Sequence, residues 1–170
     1  PSTVQSKRSS AYGSANIQPV RSGRAILFAQ RALRKIRELA YVFEDDGFRA
    51  PDLTLVSEHV TETGVVDMAY QAEPQSLIWT VLTNGTLICL TYERDQKVVG
   101  WSRHVLGGFS DAGTTQAKVE SVAVIPNAAG TADELYLVVQ RYINGASVRY
   151  IEYLKPHWAT SFDHEDAFFV

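Results

Sequence analysis

The chain has 170 residues, 45% of them hydrophobic, and a formal net charge of -3. That is long enough for one domain with a real core, too apolar for a disordered chain, and without the basic excess that nucleic acid or an anionic membrane attracts. No apolar run approaches the roughly 20 residues of a membrane-spanning helix, and a single cysteine, Cys89, leaves no intrachain disulfide or thiolate metal cluster and fits a cytosolic origin.

The N-terminus lacks the apolar core of a signal peptide. The chain opens on Pro1 and its one methionine is Met68, so it reads as a processed product or a piece of something longer. Residues 1–23 are Ser-rich and polar and read as a flexible arm or linker; ordered core is expected from about Arg24, so that 24–170 forms the folded part. Ala25 to Ala29 is a short apolar run typical of a strand buried on both faces. Leu33 to Phe43 has helix-forming composition, but a repeat described below favours a strand. Asp45-Asp46-Gly47 is a turn. Residues 51–60 carry the best helix signal: Pro51 suits the first turn, Asp52 complements the dipole, and Leu53, Val56 and Val60 would share one face.

After Gly64 the pattern is β. Strands are expected at Val65 to Tyr70, Leu77 to Leu82, Thr86 to Tyr92, Val98 to Val105, Val119 to Ile125, Glu134 to Tyr142 and Ser147 to Leu154. Asn84-Gly85 and Asn144-Gly145 are strong hairpin turns, because both residues tolerate positive φ. Asp166 to Val170 looks like the start of another strand.

A strand–hairpin–strand unit occurs three times, at Ile26 to Tyr41, Leu77 to Tyr92 and Leu135 to Leu154. Gln30-Arg31 matches Gln140-Arg141, and this match makes Leu33 to Phe43 a strand. The spacing, roughly 50 to 60 residues, is close to the blade period of propellers. A sheet apolar on both faces, as Thr86 to Tyr92 implies, needs a neighbour on each side. The expected fold is therefore mainly β: antiparallel four-stranded blades of a partial β-propeller, about two and a half of them, with one short helix near 51–60. The open ends of the stack would be covered by that helix, by the arm or by another chain.

The ordered phrases Asp67-Met68-Ala69-Tyr70, Ile78-Trp79, Asn84-Gly85-Thr86-Leu87, Thr91-Tyr92-Glu93-Arg94 and Gly100-Trp101-Ser102-Arg103-His104 continue as Val119 to Pro126, Glu134-Leu135-Tyr136, Arg141 and Arg149-Tyr150-Ile151-Glu152. In this order they resemble the tail nozzle (tail tubular or stabilisation) proteins of short-tailed bacteriophages, from about Gly23 to the C-terminus. The resemblance implies a propeller-like platform that assembles as a ring in the virion tail. It implies partners that are other copies of the chain and neighbouring tail proteins, a passing contact with genomic DNA, no membrane, no cofactor and no catalytic motif. The chain is far shorter than the family and would hold a middle part of the propeller.

Other side chains have the chemistry of a site. His157 and His164 lie near Asp163, Glu165 and Asp166, a group that could bind a cation but reads as a solvated acidic segment. His59, beside Glu58 and Glu62, reads as exposed helix; His104 as packed in a strand. Asp67, Glu120 and Glu152 are the carboxylates a propeller glycosidase would need. They also sit at comparable places in the repeat, which explains them without catalysis. No nucleophile elbow or phosphate loop is present, and Cys89 reads as core. Trp79, Trp101 and Trp158 could build a sugar platform or pack between sheets. Arg31, Arg34, Lys35 and Arg37 could touch DNA or form a solvated face. No catalytic, cofactor or metal residue is therefore assigned. The first expectation is a non-catalytic virion assembly protein. A carbohydrate- or protein-binding propeller module and a glycosidase-like propeller are the alternatives.

Overall fold

The computed structural model of the chain describes residues 11–154. They form eleven strands in three antiparallel sheets, each a meander of consecutive strands. The first sheet holds β1 (Val20–Ser22), β2 (Ala25–Ala29), β3 (Ile36–Val42) and β4 (Gly47–Arg49). The second holds β5 (Val65–Gln71), β6 (Leu77–Leu82), β7 (Leu87–Glu93) and β8 (Val98–His104). The third holds β9 (Lys118–Pro126), β10 (Asp133–Ile143) and β11 (Ala146–Leu154). The three sequence units fall on β2–β3, β6–β7 and β10–β11, a hairpin starting at the second strand of each sheet.

Side-chain alternation along each strand divides the core into two layers with the second sheet between them. Ile78, Leu82, Ile88, Leu90 and Tyr92 pack with Ala25, Leu27, Ile36 and Ala40 of the first sheet. The intervening Trp79, Val81, Leu87 and Cys89 pack with Val119, Val122, Leu135, Leu137 and Val139 of the third. Between sheets, the backbones approach most closely along the first strands, β1 against β5 and β5 against β9, with β6 also near β9 and β10 near β5.

Two of the strands escaped the sequence reading. β4 is three residues long, too short for a period to register. β1 pairs with β2 across a two-residue turn in which Gly23 has positive φ, with Ser22 opposite Ala25. The first sheet therefore begins within the stretch read as an arm, and Val20 lies in the core. Leu33 to Phe43 does contain a strand, but only from Ile36; Leu33 itself turns the chain at φ 65°. The Gln30-Arg31 to Gln140-Arg141 match does not hold in structure: the first pair begins a turn and the second lies inside β10. Ala25 to Ala29 is covered on both sides except at Ile26.

The helix expected at 51–60 is absent; the segment is a run of separate turns. Ser57, Val60 and Gly64 amides each reach back three residues, to Thr54, Ser57 and Thr61. The start of the segment is claimed by β3 instead: Glu38 N–H donates to Pro51 O and Leu53 N–H to Ile36 O. Asp52 does not cap a helix but folds onto Thr54, accepting from its amide at 2.9 Å and its hydroxyl at 2.6 Å. β-Branched Thr54, Val56, Val60 and Thr61 lower the helical alternative further. The expected face divides accordingly: Leu53 and Val60 are buried, whereas Val56 is 87% exposed. The only helical turn among the described residues is a 3-10 turn at Phe43–Asp45.

Both Asn-Gly pairs make hairpins, by different geometries. Asn144 and Gly145 have φ of 52° and 82°, and Ile143 pairs with Ala146, so this is a two-residue type I′ turn. At Asn84-Gly85 only Gly85 is left-handed, and Gly85 N–H donates to Leu82 O at 2.8 Å, a turn closed by a glycine bulge.

Candidate functional site

Polar side chains stitch neighbouring sheets together, mostly on the first-strand side. The Asp67 carboxylate on β5 accepts from Ser121 Oγ at 2.7 Å and Val122 N–H at 3.1 Å on β9. The Asp133 carboxylate at the start of β10 accepts from the amides of Ala72 and Glu73 after β5, at 2.8 and 3.0 Å. Gly85 O accepts from Val119 N–H at 2.9 Å, which draws the β6–β7 turn onto β9. Toward the later strands, the connections that carry the chain to the next sheet fill the gaps. Trp101 on β8 donates its Nε1–H to Leu53 O at 3.0 Å, and Arg103 donates to His59 O at 2.8 Å. Arg141 on β10 is held bidentately by Glu152 on β11 and donates to Gly107 O at 2.6 Å. Arg94 pairs with the buried Glu38 at 2.7 Å, tying the β7–β8 turn to β3.

This arrangement uses the residues that the sequence offered for chemistry. Asp67, Glu120 and Glu152 do not converge. Asp67 faces Ser121, Glu152 faces Arg141, and Glu120 lies on the opposite face of β9 in a bidentate pair with Arg149 at 2.6 and 2.9 Å. The arginine lowers the Glu120 pKa, hydrogen bonding being the main cause. No group of three or more His, Cys, Asp or Glu among the described residues could hold a metal ion. Trp79 is buried between the second and third sheets, its Nε1–H donating to Gln71 Oε1 at 2.8 Å, and Trp101 is half-buried, so neither presents a flat sugar platform. His104 packs edge-on against Trp79 at 4.9 Å between ring centroids. His59 is exposed on a turn, not a helix. His157, His164, Asp163, Glu165, Asp166, Trp158 and the strand expected from Asp166 lie outside the described residues.

The basic cluster is also divided. Lys35 bonds Asp52 at 2.9 Å and Glu58 at 3.1 Å. Arg37 is buried, donating to Gln30 Oε1 and Ala50 O at 2.7 Å with the Tyr12 ring over its guanidinium at 3.5 Å. Only Arg31 and Arg34 of the four are exposed. A hollow lined by Gln30, Ala32, Arg34, Lys35 and Glu58 measures about 210 Å³, below the roughly 300 Å³ where small-molecule sites begin. No helix among the described residues is long and apolar enough to cross a membrane.

No family model matches the chain, and no curated protein matches it.

Two groups give measurable expectations. Cys89 is buried in β7, and burial pushes its thiol up to about 12. The thiolate, which is the reactive form, is thus disfavoured as well as covered. A maleimide reagent is expected to label it only after denaturation; labelling of the native protein at the rate of a small thiol contradicts this burial. Asp111, in the loop after β8, accepts hydrogen bonds from Thr115 and Thr114, which hold its carboxyl well below the usual carboxylate range. A depressed folded-state pKa favours the folded loop above the unfolded value near pH 4; that contribution declines as pH falls below it and is gone once pH has passed through the lower folded value, where the folded carboxylate itself takes up its proton. The Thr114 and Thr115 amide resonances should therefore stay in place through pH 4 and move only in stronger acid. A midpoint at pH 4 would mean that these bonds do not form.

The two end sheets expose apolar surface. The outer face of the third sheet carries Tyr136 opposite Tyr153 and Val138 opposite Ile151. Ile151 is 79% and Tyr153 53% exposed. The outer face of the first sheet carries Ile26, Leu39, Tyr41 and Phe48, the last two in edge contact at 5.5 Å. The sequence signal for these faces was the same two-sided apolarity that gave the core, and it could not tell the end sheets from the middle one.

Proposed function

We propose that the chain is part of a virion structural protein of the bacteriophage tail nozzle type, and that its sheets are blades of a propeller-like platform. It acts by shape rather than catalysis: stacked blades make a rigid wall, and loops and end faces mate with other copies and with neighbouring tail proteins. The protein is made in the bacterial cytoplasm and works in the virion, where exiting genomic DNA would pass close by. The observation that carries this reading is the second sheet. It is buried on both faces by like sheets, which follow one another in chain order and come closest at their first strands. Sheets that fan from a shared side in this way are the building plan of propellers. The phrases resembling tail nozzle proteins fall mainly on the strands and turns of these sheets, from Asp67 to Glu152. The genes beside this one test the assignment. Portal and tail genes are expected there, together with peptides of this chain in mass spectra of the purified particles. A neighbourhood of polysaccharide uptake and breakdown genes, with no such peptides, would overturn it.

A further inference from the structure

We infer that two copies of the chain join head to tail, the outer face of the third sheet of one copy packing on the outer face of the first sheet of the other, at two equivalent contacts. The inference rests on reading the sheets as blades. Within the chain, each contact is made by the same pair of faces. The side of the first sheet that meets the second corresponds to the side of the second that meets the third. Carried one step on, that side in the third sheet is the one bearing Val138, Ile151 and Tyr153; the complementary side is the outer face of the first sheet, with Ile26 and Leu39. A second copy therefore offers each end the kind of face that the interior already uses.

Charge agrees with this orientation. The outer face of the first sheet exposes Arg21, opposite Ile26, whereas Arg37, opposite Phe28, is buried against the Tyr12 ring and already bonded to Gln30 and Ala50. The outer face of the third sheet carries Glu134, opposite Ile125, and Glu120, the latter paired with Arg149. With Glu120 offset by Arg149, packing third on third would set the Glu134 side chains of two copies on one face, and first on first their Arg21 side chains; head to tail sets the face of Glu134 against that of Arg21. A head-to-tail contact either closes into a ring or runs on into a filament. Two copies hold twice three sheets, within the roughly four to eight blades at which propellers close, so a closed dimer is the expected species.

The test uses the full chain and two variants at exposed positions, Ile151→Lys on the third sheet and Ile26→Glu on the first. Each adds a charge of the sign that the facing surface carries. Sedimentation of the wild type should give a dimer. Each variant alone should dissociate at least about tenfold more readily, with an unchanged circular dichroism spectrum. Mixing the two variants should restore a one-to-one heterodimer, because one contact then has two native faces. An association lost in one variant and intact in the other, with no rescue on mixing, indicates like-on-like packing and overturns the inference. So does a wild type that stays monomeric at high concentration, or one that grows into filaments. None of these three results touches the stacked-sheet reading, which is tested separately by the burial of the second sheet.

Discussion

Replacing Gly85 with alanine is expected to cost about 3 kcal/mol or more of unfolding free energy, whereas the same change at Gly145 should cost only about 1 kcal/mol. Both glycines follow an asparagine in a hairpin, and both have positive φ, 85° and 82°. An L-residue pays a similar backbone penalty at either, on the order of 1–2 kcal/mol. Their surroundings differ. A Cβ on Gly145 would meet nothing within 4 Å. A Cβ on Gly85 would lie 2.5 Å from Lys118 Cβ, 2.6 Å from its Cγ and 2.9 Å from its Cα. The last contact is with backbone, so a rotamer change cannot relieve it. Either the β6–β7 turn or β9 must move, and the hydrogen bond from Val119 N–H to Gly85 O goes with it. The difference between the two variants thus measures how tightly the second sheet is docked on the third. Chemical denaturation read by far-ultraviolet circular dichroism supplies both midpoints. Equal losses would mean that the two sheets do not approach as closely as Gly85 and Lys118 do here.

The same pair of turns illustrates what the sequence could reveal. Asn-Gly marks a hairpin because its backbone preferences are local, and both hairpins form. Whether the turn is a free tip or a docking point depends on Lys118, a residue more than thirty positions away, and no local pattern carries that. Long strands were legible for the same reason: seven expected strands, from Val65 onward, coincide closely with β5 to β11. The segment at 51–60 was misread because its capping residues suit either outcome. Pro51 and Asp52 can open a helix, but here the backbone of β3 offers hydrogen bonds first, and Asp52 turns back onto Thr54. The carboxylates were legible as polar positions within the repeat but not as stitches. Asp67 looks the same in sequence whether it faces a substrate or Ser121.

Truncating either of two adjacent residues in β7, Leu87→Ala or Ile88→Ala, is expected to destabilise the fold by about 2–5 kcal/mol in each case. In a strand that covers a single core, neighbours point to opposite faces, and one of them meets solvent. Truncation there would cost within about 0.5 kcal/mol. Here Leu87 is buried against the third sheet and Ile88 against the first, with exposures of 1% and 0%. Both deletions must therefore leave a cavity, but in different layers. Amide exchange should separate them further: Ile88→Ala is expected to loosen β2 and β3 more than β10, and Leu87→Ala the reverse. A negligible cost at either residue would mean that one face of the second sheet is open to water. The stack would then reduce to two layers, and the physical ground for reading its sheets as blades would be gone.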